Sequence, residues 1–297
     1  MLCVLPGGLV DEAGTVHDEV ELRGLSGREE ELLAGDGGAE TCAAALVTAL
    51  LSRCVRRIGG IRQVDADVTR RLLVADRQFV LLKVREATFG ERVQGSVPCP
   101  WPDCGRRVAV SFSTSDVPVR AARDKGPVHT GVLSADAMPG AGDADRTVAF
   151  RLPTGADQEA LSGLLEENEA AALTGLLARC LLRVGPDASV DEERVARLSP
   201  LARLEIERRM EEAAPRVDLL MEAECAHCGR AFSAPFDPQG FFFGELRATA
   251  DLLRREVHYL AYHYHWSERE IMEMPRARRG RYIAVLADEI ERSNECV

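Results

Sequence analysis

Two cysteine pairs, separated by 120 residues between Cys104 and Cys225, constrain this chain more than any other feature. The first pair sits in Val97-Pro98-Cys99-Pro100-Trp101-Pro102-Asp103-Cys104-Gly105-Arg106-Arg107, the second in Glu224-Cys225-Ala226-His227-Cys228-Gly229-Arg230. Apolar residues alternate after the first pair (Val108, Val110, Phe112) and flank the second (Leu219, Met221, Phe232). Each pair therefore reads as strand, tight turn, strand. A glycine follows the second cysteine in both turns, where a sulfur-bearing turn needs a residue without Cβ or one that takes φ > 0. Two such turns facing each other supply four sulfurs, the donor set that structural Zn²⁺ prefers. Cys99, Cys104, Cys225 and Cys228 are thus expected to form one Cys₄ zinc site. The competing reading is four buried reduced thiols, since free cysteine behaves as a small hydrophobe. The repeated Cys-Gly-Arg pattern favours the metal. His227 lies inside its turn and is expected to be a bystander.

The totals bound the function. A length of 297 residues allows about two domains. Charged residues make up 29% and hydrophobic ones 46%, an ordinary soluble composition with a sizeable core. A net charge of -11 argues against a surface built to hold nucleic acid. No stretch approaches the roughly 18 apolar residues of a membrane helix, and Met1-Leu2-Cys3-Val4-Leu5 lacks the features of a secretion signal. Nine scattered cysteines do not resemble a disulfide framework, so a reducing, cytoplasmic setting is expected.

Along the chain, Val4 to Leu22 reads as a hairpin turning at Asp11 to Gly14. Ser26-Gly27-Arg28-Glu29 is a capping box opening a helix from Arg28 to Leu33, ended by the glycines at 35–38. A helix from Ala39 to Ile58 stops at Gly59-Gly60. Two more follow, Asp67 to Val74 and Asp76 to Glu86, the second with Asp76 as its N-cap. Residues 120–146 show no hydrophobic period and read as a mobile loop. A strand at Val148 to Leu152 precedes helices at Asp157 to Glu166, Asn168 to Val184 and Asp191 to Leu198. Another, from Pro200 to Glu212, is capped by Ser199. The tail is helical: Leu246 to Tyr262, a short helix behind the capping box Ser267 to Glu270, and a last one after Pro275. Nothing repeats at a solenoid period.

The fold class that follows is α+β and mostly helical. It has an N-terminal hairpin and helical lobe (1–94), a split zinc-ribbon-like β element (95–117 and 217–236), a helical lobe inserted between its two turns (118–216) and C-terminal helices (237–297). Other chemistry is poorly supported. His258 and His263 are five residues apart, about 140° around a helix, and cannot share a metal unaided; they read as packing at a helix corner. Arg276, Arg278, Arg279 and Arg281 form a basic run, read as a solvated face or a docking surface for an acidic partner. A Gly-x-Ser-x-Gly elbow is absent. Four thiolates would leave a zinc ion no open position for water, which would make the site structural rather than catalytic.

Several stretches together resemble the baseplate hub assembly chaperone family of T4-type contractile phage tails and related injection systems. They are Glu21 to Glu30, Asp76 to Leu82 with Phe89-Gly90, the two cysteine turns, Phe150 to Asp157, and Glu256 to Glu268. The resemblance implies a non-enzymatic protein that helps baseplate, hub or tail components assemble, with the zinc turns as scaffold. The alternatives are a zinc-ribbon nucleic-acid-binding or regulatory protein and, behind it, a zinc-dependent hydrolase. No membrane, nucleic-acid or small-molecule partner is expected.

Overall fold

Polar residues Asp11 to Gly14 close the first hairpin in the computed structural model, which describes residues 1–34, 42–248 and 250–295. β1 (Leu2–Val10) and β2 (Val16–Leu22) pair antiparallel, and Gly14 takes φ +79° in the turn between them. α1 (Gly27–Ala34) opens at Ser26, whose N–H donates to the Glu29 carboxylate at 2.8 Å; Arg23 grips the same carboxylate with two N–H groups. The glycines at 35–38 and the expected helix start at Ala39 lie outside the described residues. α2 (Ala43–Cys54) then gives way to β3 (Val55–Ile58), which pairs with β2. The expected helix to Ile58 is therefore too long: Val55 and Ile58 are β-branched and bury against the hairpin while Arg56 faces out.

α3 runs Ala66–Arg71 rather than Asp67 to Val74, and Asp65 caps it, accepting the Val68 N–H at 2.9 Å. α4 (Val74–Phe89) begins before the expected cap at Asp76. Asp76 is fully buried inside that helix and accepts the Gly7 N–H of β1 at 2.7 Å, while its Oδ2 is buried without a hydrogen-bond partner. Burial raises its pKa from 3.8 to about 6. A folded-state pKa above the unfolded one means the native state binds the extra proton, so this group's contribution to stability rises as pH falls from about 7 to 4. Asp76→Asn keeps the Oδ1 acceptor and removes the titration. Denaturant midpoints at pH 7.5 and 5 are expected to lose a pH dependence worth about 1–3 kcal/mol. An unchanged slope in the variant would show that Asp76 is not its source.

β4 (Arg92–Pro98) and β5 (Arg107–Ser113) form the hairpin that carries the first cysteine turn. The chain leaves through β6 (Val119–Arg120) and returns through β10 (Arg216–Val217), which pair and pin the intervening stretch at its base. Within that stretch lie β7 (His129–Val132), β8 (Thr147–Phe150), α5 (Gly155–Glu167), α6 (Glu169–Cys180), β9 (Leu181–Val184), α7 (Glu192–Ala196) and α8 (Pro200–Ala213). Residues 120–146 thus contain β7 and two core side chains, Leu133 and Ala137, both about 1% exposed or less. They are not a featureless loop. Four-residue β7 is too short to show a period, and only its pairing with β8 orders it. The second cysteine turn sits between β11 (Leu220–Glu224) and β12 (Ala231–Pro235). Then come α9 (Pro238–Ala248), α10 (Ala250–Tyr264), α11 (Glu268–Met272) and α12 (Arg276–Glu295). Among the described residues about 48% are helical and 23% extended, so helix outweighs strand without excluding it.

Residues 118–216, expected as an insert, carry the same elements in the same order as residues 2–89. Both segments run two strands, two helices, a strand, a short helix and a long helix, with sheet orders β1-β2-β3 and β7-β8-β9. An offset of 126 residues aligns Leu50-Leu51-Ser52-Arg53-Cys54 with Leu176-Leu177-Ala178-Arg179-Cys180, and Val64-Asp65 with Val190-Asp191. Arg151 grips Asp157 at the start of α5 as Arg23 grips Glu29. The helical half of the pattern recurs a third time as α9 to α12, without the sheet. Each copy is followed by a hairpin in the first two cases, and each hairpin brings one cysteine turn.

Separate cores hold these units. One joins the first unit to Phe242, Phe243 and Leu246 of α9. A second lies within residues 133–210. A third, around Val93, Val217 and Phe236, joins the roots of the two hairpins. No helix among the described residues is long and apolar enough to cross a membrane.

Candidate metal centre

The four cysteines meet. Cys99, Cys104, Cys225 and Cys228 place their Sγ atoms within 4.8 Å of one another, with Cys99 to Cys228 and Cys104 to Cys225 both at 3.8 Å. A tetrahedral ion with metal–sulfur bonds of about 2.3 Å requires sulfurs about 3.8 Å apart. Two of the sulfur pairs stand at that edge length and the others lie no more than 4.8 Å apart, a set compact enough to hold an ion. The four residues can bind a metal.

Local chemistry builds each turn. Cys99 N–H donates to Arg106 O at 2.9 Å, and Cys225 N–H to Arg230 O at 3.0 Å, closing the two loops in the same way. Gly105 takes φ +58° and Gly229 φ +69°. A Cβ would meet nothing within 4 Å at either position, so it is the left-handed backbone and not a shortage of space that calls for glycine. Within the second turn, the Gly229 N–H donates to Cys225 O at 2.8 Å. The Cys228 and His227 N–H groups draw the Cys225 thiol down to about 7. Burial pushes the Cys99 thiol up to about 12. The turn fixes the N–H donors that face the Cys225 sulfur.

The two turns also hold each other. The Arg that follows each Cys-Gly reaches the residue before the second cysteine of the opposite turn. Arg230 pairs with Asp103 and lies over the Trp101 ring at 5.0 Å, and Arg106 meets His227 Nδ1 at 3.4 Å. His227, expected to be a bystander, lies outside the sulfur set but meets the arginine of the opposite turn. Beneath the sulfurs, Val108 and Phe232 shield Cys99 and Cys225 from solvent. The remaining described cysteines stay apart. Burial raises Cys54 and Cys180 to about 12, leaving them core thiols.

The arginine run divides. Arg279 is fully buried, donating to Glu30 at 2.6 Å, Glu256 at 3.0 Å and Met274 O at 2.9 Å. Arg276 pairs with Glu30 at 2.8 Å and stacks on Phe89 at 4.8 Å. These two hold α12 to α1 and cannot present themselves to a partner; the single solvated face expected for all four does not form. Arg278 and Arg281 are exposed. His258 and His263 are exposed too, and no metal-holding group includes them among the described residues; Tyr264, Trp266 and Tyr282 pack the corner instead.

Residues 11–243, more than half of the chain, match the family model described as T4 bacteriophage base plate protein. The match takes in the first unit from β2 onward, the whole second unit and both cysteine turns. No curated protein and no solved structure matches this chain.

Proposed function

The chain belongs to the T4 bacteriophage base plate protein family, and from that premise we propose that it is a non-enzymatic assembly chaperone, adaptor or minor component of the base plate of a contractile, phage-tail-like particle. The observation that carries this reading is the extent of the match, which covers the whole sulfur-clasped part of the chain rather than one motif. We further propose that the clasp holds Zn²⁺ through Cys99, Cys104, Cys225 and Cys228. Four sulfurs at tetrahedral spacing suit zinc, and a complete set leaves no position for a reacting water, so the ion would serve as scaffold. Its effect would be to fix two hairpins, and with them two helical units, in one relative position. Baseplate, hub or tail proteins are the partners that fit this role, and Arg278 and Arg281 remain exposed cations available to them. The protein would act in the cytoplasm or within the particle.

Deleting the coding sequence in a producing cell tests the assembly role. The expected result is that complete base plates fail to form while sheath and tube proteins are still made; a normal yield of finished tails would overturn it. Mass spectrometry of purified wild-type particles then separates the two forms of the role: a retained subunit appears in the particle, a departing chaperone does not.

A further inference from the structure

Three times along the chain a short helix runs into a long one: α3 into α4, α7 into α8, and α11 into α12. Two of these junctions already hold the start of another helix. At the third-unit junction, Pro275 bridges Ser26, the Arg276 N–H donates to Leu25 O at 3.1 Å, and Arg279 takes Glu30. At the first-unit junction, Leu73 bridges Thr154, the Val74 N–H donates to Pro153 O at 3.2 Å, and the Gly155 N–H donates to Leu72 O at 3.0 Å. Both guests have the same chemistry. A hydroxyl residue caps the helix, glycine follows, and a carboxylate comes three or four residues later (Glu30, Glu159). The glycine is required by space. A Cβ on Gly155 would collide with the Arg77 guanidinium, and one on Gly27 would come within 2.8 Å of the Met272 sulfur. Glu159 then bonds Thr48 and takes Arg70 Nε at 2.8 Å.

The α7–α8 junction repeats the central arginine of this host machinery, with Ala196 where Arg70 takes Glu159, and among the described residues it holds no guest. Arg203 stands 126 residues after Arg77 and repeats two of its three bonds, lacking the one to Ala44 O. Arg77 Nη1 donates to Thr69 O at 3.1 Å and Thr48 Oγ1 at 2.9 Å; Arg203 donates to Val195 O at 3.1 Å and Thr174 Oγ1 at 3.4 Å. Arg77 is 2% exposed beneath α5, whereas Arg203 is half-buried. Among the described residues neither forms an ion pair with a carboxylate; the arginine that takes its guest's carboxylate is Arg279, through Glu30. The apolar surroundings differ in the same sense. Val47 is 4% exposed, but Leu173 at the matching position is 41% exposed, and Leu204 beside Arg203 is 61% exposed.

We propose that the α7–α8 junction around Arg203 is a docking site for a helix start of a different polypeptide, one with a Ser or Thr cap, a glycine next and a carboxylate a turn further on. A second copy of this chain is not the occupant. Its two helix starts of that kind are consumed within the copy, and its third, α9, has Pro238 where the glycine is needed. The inference stands on the internal precedents and does not require the base plate reading.

A synthetic peptide of residues 150–168, which carries the α5 start, is the probe, and fluorescence anisotropy against the full chain is the measurement. The wild-type protein is expected to bind it. Arg203→Glu, checked by circular dichroism for an intact fold, should weaken binding about tenfold or more, the loss of one charge-assisted contact. A peptide carrying Glu159→Arg should lose affinity for the wild-type protein and regain it for Arg203→Glu. Binding indifferent to position 203, or none up to about 1 mM peptide, would overturn the site. Arg203-dependent dimerisation in sedimentation runs without peptide would overturn the assigned occupant in favour of a second copy.

Discussion

Replacing Cys225 by Ser is expected to abolish metal binding and to lower the melting temperature by about 10 °C. The reasoning starts from what the sulfurs hold. Cys99 and Cys104 belong to the hairpin of β4 and β5, Cys225 and Cys228 to that of β11 and β12, and the hairpins form separate two-stranded sheets with no ladder between them. An isolated two-stranded hairpin is marginal in water. Here the apolar support under the turns is small: Val108 and Phe232 are buried, with a few half-buried neighbours. An ion bound there would therefore carry much of the local stability, because binding to a site absent from the unfolded chain counts as folding free energy. Other cores remain intact in the variant, so the loss should stop short of global unfolding, at about 3–5 kcal/mol, with each kcal/mol lowering the midpoint by about 2–4 °C in a chain of this size. Cys54→Ala is the control. It also opens a buried position, yet it should keep one equivalent of metal because Cys54 lies far from the sulfur set, in the first unit's core. Metal content by elemental analysis and thermal melting are the two readouts. A Cys225→Ser protein that retains metal and melts with the wild type would rule the centre out.

The parts of this arrangement that the sequence displays are those fixed by local chemistry. Gly105 and Gly229 announce left-handed turns because each must follow its cysteine at once, and Ser199-Pro200 and Ser267 to Glu270 announce helix starts for the same reason. Helix ends were harder to place. The helix expected to reach Ile58 and the one expected to reach Val184 overrun by the same four residues. In both, an apolar run passes from helix to strand without a break in composition, and only the partner strand, β2 or β8, decides the change. The internal repeat was present in the letters, since Cys54 and Cys180 close near-identical helices. Its 126-residue period lies outside the 20–50-residue range that marks solenoids, and loops of unequal length hide the alignment before α2. Asp76 shows the opposite failure. A carboxylate near a helix start is usually a cap, but here a glycine of β1, 69 residues away in sequence, claims it.

Removing the guanidinium of Arg279 is the second large effect expected, and it concerns a residue whose sequence context disguises it. Four arginines within six positions look like a solvated surface, yet the partner of Arg279 is Glu30, 249 residues earlier. The pair is closed from solvent on both sides, with Arg279 0% and Glu30 3% exposed. Arg279→Met would leave Glu30 with Arg276 alone and take from Glu256 the cation 3.0 Å away. Breaking a buried ion pair by deleting one member costs about 3–5 kcal/mol when the other charge is stranded, and since Arg276 still compensates Glu30 in part the lower end applies here. α12 docks on α1 through this network and the Arg276 N–H bond to Leu25, so the damage should be directional. The variant is expected to melt about 10 °C lower and to lose protection from limited proteolysis first in residues 250–295. Arg278→Ala and Arg281→Ala, at exposed positions, should stay within about 0.5 kcal/mol of the wild type. Adding Glu30→Gln to Arg279→Met should recover part of the loss, since it removes the stranded charge, and the double-mutant cycle would measure the coupling directly. Wild-type melting in Arg279→Met would mean that the pair does not anchor α12, and that the apolar contacts of α10 and α11 suffice to hold the third unit on the first.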